Sequence, residues 1–481
     1  MSATTGPAGA GRGPGTWRQR SAVVGLTGAL MGLIYGYDQG AISGAILYIK
    51  HQYHLSTFMQ EVVTSAVVAG MVVGALIAGR VANAIGRKRT MIVICLGYAV
   101  FAICSGIPVG LGWLIAVRFL LGMAIGLSVV GVPLFIAESV PPSIRGRMVI
   151  VYQISTTTGI LVAYFVDLGF AGSKDWEAML AMSAVASFVA LAVVAPLPDT
   201  PRWYMMKGRR EEALTVLRRS EEEDLVQAEM AQLEEDLSYQ DKTGFLGLFR
   251  RPFTRAAIFA LGLGFLVQIT GINAIVYYSP TILQQVGFKT ATGAIVGTVI
   301  LQAAAIAVEL VAFAIVDRVG RRPVILGGIA TMVVADALLL SVYANGHFVG
   351  LVAALAFTGF MLFHMGYSFG FGSLGWVYAS ETFPARLRSS GAAAQLTMNN
   401  LANLIVALFY LSAVQRLGGV GTWALLGSLA IIAFAFVFKL APEAKGRRLE
   451  EIRAYWDNGA KWPDAAEAAS PMASGTTQPL S

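Results

Sequence analysis

Apolar residues occur along this chain in blocks of about 20 or more, separated by short polar stretches. Neither the alternation of a strand nor the narrow stripe of a soluble helix fits such blocks. Twelve can be drawn, at 21–48, 60–81, 90–109, 111–137, 148–171, 178–197, 255–283, 292–316, 324–344, 348–379, 389–414 and 420–440. As a helix, each is long enough to cross the hydrocarbon core of a bilayer, and a helix satisfies its own backbone there. The pattern predicts an all-α membrane protein of twelve transmembrane helices. The first block is too long for a signal peptide and lacks a cleavage pattern.

One long connection, 198–254, divides the blocks six and six. The expected organisation is a disordered tail at 1–20, a six-helix bundle at 21–197, a linker at 198–254, a second bundle at 255–441 and a tail at 442–481. Within the linker, 210–237 is charged and helix-prone, and its acidic cluster Glu221–Asp224 reads as a solvated face. The two halves repeat one another. Asn83-Ala-Ile-Gly86-Arg87-Lys88 returns as Asp317-Arg-Val-Gly320-Arg321-Arg322, and Pro198-Asp199 returns as Pro442-Glu443. Glu138 precedes Arg145 by seven residues, as Glu381 precedes Arg388. Three landmarks in one order at nearly one offset mean a duplicated six-helix unit, the architecture of alternating-access carriers.

Composition sharpens the class. Of 481 residues 56% are hydrophobic and 13% charged, about half the charge of a soluble domain. Disorder, collagen and a disulfide scaffold are excluded by the same figures. The net charge of +7 would point to nucleic acid on a soluble chain, but here basic residues serve topology. With the N-terminus inside, 30 of the 35 Lys and Arg residues are on inner segments. Lys50, Lys174, Lys289 and Arg416 are on outer loops, and Arg118 is within a span. Both termini are therefore expected in the cytoplasm. Cys95 and Cys104 are about 13 Å apart on one helix, too far for a disulfide.

Several short motifs lie at the ends of the spans. They are Gly36-Tyr37-Asp38 with Ile42-Ser43-Gly44-Ala45, Gly79-Arg80 through Arg87-Lys88-Arg89, and Pro133-Leu-Phe-Ile-Ala-Glu138. Pro198-Asp-Thr-Pro-Arg-Trp203 follows, then Thr270-Gly271-Ile272-Asn273 with Tyr277-Tyr278-Ser279-Pro280. The last are Trp376 with Ser380-Glu381-Thr-Phe-Pro384, and Pro442-Glu-Ala-Lys-Gly446. In this order the motifs resemble the sugar porter family of the major facilitator superfamily, over about residues 20–455. The resemblance implies two pseudo-symmetric six-helix bundles that import a monosaccharide or sugar-like polyol with protons. It implies a multi-pass plasma-membrane protein functional as a monomer, with lipid around it, no nucleic-acid partner and no cofactor beyond the proton gradient. Nothing resembles a phosphate loop, a zinc cluster or a nucleophile–base pair, so an enzyme is not expected. The alternatives are an uncoupled facilitator, an exporter of another small metabolite, or a transport-dead sensor.

Asp38 is the proton-coupling candidate. A carboxylate in an apolar span costs about 2.5–3.5 kcal/mol and calls for a partner or a function. Arg118 is the natural partner, and a change in their distance would load and release a proton. By resemblance, Glu138 and Glu381 pair at the inner face with Arg87, Arg145, Arg321 and Arg388 in gating networks, Asp317 adding an acid that Asn83 does not. Buried amides suit a polyhydroxylated solute, because an unmatched polar group is costly. Gln153, Gln268, Asn273, Asn399 and Asn403 match sugar-contacting positions of the family, Trp376 its stacking ring, and Tyr277 and Tyr278 its outer gate. Several pocket positions depart from the family pattern: Val267 and Ala305 where it has amides, Ser373 where it has proline, and Asn400 where tryptophan is frequent. A standard aldohexose is accordingly less secure than a pentose, polyol or sugar-like metabolite. Glu309, about 12 Å from the inner edge of its span, matches no family carboxylate. It reads as a titrating or substrate-binding group, or as a buried acid bonded to a neighbouring helix. Asp167 and Asp336 are expected to face water, and His364 to be packed.

Overall fold

The structure, a computed structural model, describes residues 15–220, 223–238, 254–375, 388–443, 445, 447, 449–458 and 462. Among them there is helix and no strand. The first half comprises α1 (Gly15–Gln52), α2 (Thr57–Ile85), α3 (Arg87–Ser105), α4 (Leu111–Ser139), α5 (Pro142–Phe170) and a sixth span made of α6 (Trp176–Ala181) and α7 (Ser183–Val194). The linker forms α8 (Pro201–Met206), α9 (Arg210–Ser220) and α10 (Glu223–Ser238). The second half comprises α11 (Thr254–Ile269), α12 (Ile272–Gln285), α13 (Ala291–Val319), α14 (Arg321–Asn345), α15 (Leu351–Tyr367) with a π-turn at Ser368–Gly372, and α16 (Arg388–Leu440). A last helix, α17, covers Leu449–Asp457.

Ten described helical stretches are long and apolar enough to cross a membrane. One of them contains two spans, because Gly418 breaks α16 with φ 69° and ψ 175°. With α1, 38 residues long, the crossings come to the expected twelve. We call the end where α1 begins and α8–α10 lie the near face, and the opposite end the far face. The sequence reading departs from the structure in the seventh span. Instead of one helix over 255–283 there are two, α11 and α12, because Gly271 takes a left-handed φ of 102°. α1 also begins at Gly15, inside the stretch expected to be tail.

Helices pair through backbone contact. Gly28, Gly32, Gly36, Gly40 and Gly44 recur every fourth residue, placing a bare stripe along α1. A Cβ on Gly36 would lie 1.8 Å from the Thr156 carbonyl oxygen, so α1 meets α5 with nothing between them. Gly70 and Gly74 of α2 do the same with α4, where Gly122 and Gly126 face back. In lipid there is little hydrophobic drive between spans, and such close packing supplies much of their association. The linker helices have a small core of their own, made of Ala213, Leu217, Val226 and Met230. On the other side, α17 docks on the second half, Trp456 packing on Phe259 with centroids 5.5 Å apart. The Glu221–Asp224 cluster lies outside the described side chains.

Candidate functional site

At the near face, Glu138 ends α4 and Arg87 begins α3. The guanidinium donates to both carboxylate oxygens, at 2.9 and 3.1 Å, with Arg87 4% and Glu138 7% exposed in their side chains. The Thr200 hydroxyl donates to the same carboxylate at 2.6 Å, and Arg202 stands 3.9 Å away. Arg145 is exposed and, among the described residues, makes no ion pair with Glu138. It projects from the start of α5, and Arg202 of the linker stands near Glu138 instead.

The duplicated acid has a physical role here. Asp199 accepts the backbone N–H groups of Arg87 and Lys88 at 2.8 and 3.3 Å, and so caps α3. Glu443 accepts those of Arg321 and Arg322, both at 3.1 Å, and so caps α14. A carboxylate at a helix N-terminus meets unpaired N–H groups and the positive end of the dipole. Gly86 and Gly320 permit the approach, with φ of 102° and 107°, and a Cβ on either would strike the capping acid. Arg321 also bridges Asp317 at 3.1 Å. Glu381 and Trp376 lie outside the described residues, as does the side chain of Arg388.

In the middle of the first half, Arg118 Nη1 stands 3.9 Å from Asp38 Oδ1, both groups buried. Asp38 Oδ2 and Arg118 Nε and Nη1 have no hydrogen-bond partner among the described residues. The contact is thus loose, a charge pair without a directed bond. Tyr277, of the second half, lies within electrostatic range of both.

The amides expected around a solute are brought together on the second-half side. The break at Thr270–Gly271 ends one half-helix and starts another, with Gln268 and Asn273 on either side of it. The Asn273 amide donates to Gln268 Oε1, and Gln268 donates to Asn399 Oδ1 at 3.3 Å. Asn403 donates to the Tyr277 hydroxyl at 3.2 Å. Asn400 is buried, and its amide nitrogen has no hydrogen-bond partner among the described residues. Gln153, on α5, is half-buried and faces Glu309 on α13. The sequence reading missed two further amides, Gln395 and Gln302, both buried. Gln302 lies three residues before Ala305, so α13 does carry an amide, one turn nearer the far face. It donates to the Thr157 carbonyl at 3.0 Å and joins the halves.

Other contacts between the halves lie toward the far face. Tyr164 donates to the Val276 carbonyl at 2.9 Å, and Leu47 and Ala171 pack with Ile295. Glu61, at the far end of α2, is fully buried and accepts the Ser412 N–H at 2.7 Å together with the Ser412 hydroxyl. Tyr278 lies beside Glu61 and Thr64 and donates to the Ala407 carbonyl at 2.8 Å. Glu61 went unremarked in the sequence because it lies at the edge of a span, where an acid is ordinary. Asp167 and Asp336 do not face water: they are 0% and 2% exposed. The bare Gly44 lets its N–H reach Asp167 at 3.1 Å, and Asp336 packs against Gly427. His364 is packed, as expected.

Twelve spans in two duplicated sets, a broken helix in the seventh span and matching helix-capping acids at one face fit a transporter of the major facilitator fold. Residues 24–456 match the family described as "Sugar (and other) transporter", and the chain belongs to that family. It is 30% identical over 439 residues to the arabinose-proton symporter of Escherichia coli K12, covering 90% of this chain and 93% of that one. It is likewise 30% identical over 425 residues to the galactose-proton symporter of the same strain, covering 88% and 92%. The inward-open, partially occluded xylose transporter XylE of E. coli superposes with a TM-score of 0.78 at 21% identity, over 90% of this chain and 100% of that one. The protein is a multi-pass membrane protein of a family of transporters.

Proposed function

We propose that the protein imports a monosaccharide or sugar-like polyol together with protons, by alternating access. The observation that carries this reading is the buried Asp38–Arg118 pair at 3.9 Å, in range of Tyr277 on the broken helix that also bears the amides. A buried acid held by one loosely placed cation gains or loses its proton as their spacing changes. Through Tyr277 that spacing is coupled to the second half, where Gln268, Asn273, Asn399 and Asn403 take the solute. Gln153 adds to the pocket, and by resemblance Trp376 stacks against the C–H side of the sugar. Tyr277 and Tyr278 act at the far gate. Arg87, Glu138, Arg145, Asp317 and Arg321 of the near face act when the carrier is open to the other side, and by resemblance Glu381 and Arg388 join them.

The names of the relatives, proton symporters of arabinose and galactose, support coupled import over a facilitator or an exporter. The bundles at 21–197 and 255–441 rock about the linker at 198–254. The chain resides in the plasma membrane as a monomer, with both termini in the cytoplasm and the proton gradient as its energy source. The test is uptake in proteoliposomes with arabinose, galactose, xylose, glucose and inositols. Asp38→Asn should abolish accumulation against a gradient and leave exchange intact. Accumulation at the wild-type level would refute the assignment.

A further inference from the structure

A second acid lies deep between the halves, outside the pair already described. Glu309 of α13 is 1% exposed, and its Oε1 has no hydrogen-bond partner among the described residues. Its polar neighbours belong to other helices: Gln153 and Thr157 of α5, from the first half, and Tyr367 of α15. The elements packed against α13 are α5, α12, α14, α15 and the π-turn. Of these, α15 presents the Tyr367 phenol, and no charged side chain among the described residues is in electrostatic contact with Glu309. Asp38 has an arginine for counter-charge, whereas Glu309 has an amide, a hydroxyl and a phenol.

We propose that Glu309 is a second proton-binding residue of the transport cycle, set in the seam between α5 and α13. This rests on the reading of the protein as a proton-coupled carrier. An acid at this depth needs a positive charge to balance it, and the described residues of the seam supply none. A solute cation would need room that a side chain 1% exposed does not offer, and a proton needs none. The Gln153 amide carries both a donor and an acceptor, so it serves the carboxylate and the neutral acid alike.

The position also sets the direction of exchange. Gln302 of the same helix pins the seam to Thr157 at 3.0 Å. Along the axis of α13 the backbone of Glu309 is about 10 Å nearer the near face than that of Gln302. With the far-face contacts made, the near end of α13, ten residues from Glu309 against eighteen to the far end, is the shorter way out for its proton. When the seam parts, the neighbours from α5 are withdrawn and the residue meets new surroundings, so proton binding and bundle rocking are linked.

Two measurements test this. In infrared difference spectra of purified protein between acid and alkaline buffer, without sugar, Glu309→Gln should remove one component of the protonated-carboxyl carbonyl band. Persistence of every component overturns the proposal, whatever the protein transports. In proteoliposomes with L-arabinose or D-galactose, the proton-to-sugar ratio at zero net flux should fall by one in Glu309→Gln. An unchanged ratio in a coupled wild type overturns this proposal alone. Sugar uptake by the wild type without protons overturns the coupling reading and this proposal with it. Should the glutamine variant fail to insert, Glu309→Asp keeps a carboxyl at shorter reach. It is expected to keep the ratio and to shift the pH profile of uptake, and an unshifted profile overturns the proposal.

Discussion

The bond between Glu61 and Ser412 offers the sharpest test of the gating geometry. It joins α2 of the first half to α16 of the second at the far face, with the carboxylate wholly buried. Ser412→Ala removes the hydroxyl donor and leaves the backbone N–H at 2.7 Å. A hydrogen bond to a charged group contributes about 1.5–3 kcal/mol. The bond exists only while the far face is closed; once the halves part, water replaces the serine. Its loss should shift the equilibrium toward the far-open state by about 1.5–3 kcal/mol, roughly 10- to 150-fold. Spin labels at Lys174 and Arg416, exposed at the far ends of the two halves, report the spacing after the free cysteines Cys95 and Cys104 are replaced. The long-distance population should grow in Ser412→Ala and grow further in Glu61→Ala. Glu61→Gln, which keeps polar partners for both serine groups, should show a smaller change. Identical distance distributions in all four proteins would refute the view that this contact holds the gate.

Other outcomes follow from the same geometry. Glu138→Leu strands Arg87, a buried cation, and breaking a buried pair costs about 3–5 kcal/mol, so the melting temperature in detergent should fall by several degrees. Asn273→Ala leaves Gln268 short of a partner, costing about 1–3 kcal/mol, and should raise the apparent sugar affinity constant roughly tenfold or more while the fold survives. Gly36→Leu drives a side chain into the Thr156 carbonyl and should abolish monodisperse expression, whereas Gly79→Leu, where a Cβ meets nothing within 4 Å, should not.

The twelve spans and their division were legible because bilayer thickness imposes one length on every crossing. The near-face acids could be matched across the halves because the duplication repeats them, although only the structure shows that Asp199 and Glu443 are helix caps. The broken helix was harder to read. Thr270–Gly271 sits in a run hydrophobic enough to be continuous, and what breaks it is a φ of 102°, a conformation that composition does not announce. Asp167 was misjudged for a similar reason. Distance from the end of a span says how deep a residue is, not which face it turns to, and the neighbour that buries it is a glycine on another helix. Gln302 was missed because an amide one turn from an expected position looks like an absence until the helix is seen in three dimensions.

The glycine contacts bear on how the proton pair works. They weld α1 to α5 and α2 to α4, so four of the six spans of the first half form two slabs. Asp38 rides on one slab and Arg118 on the other. Their 3.9 Å separation therefore registers slip between the slabs as well as the rotamers of the two side chains. A mutation that loosens either weld would blur that separation, uncoupling sugar movement from protons without touching either charge.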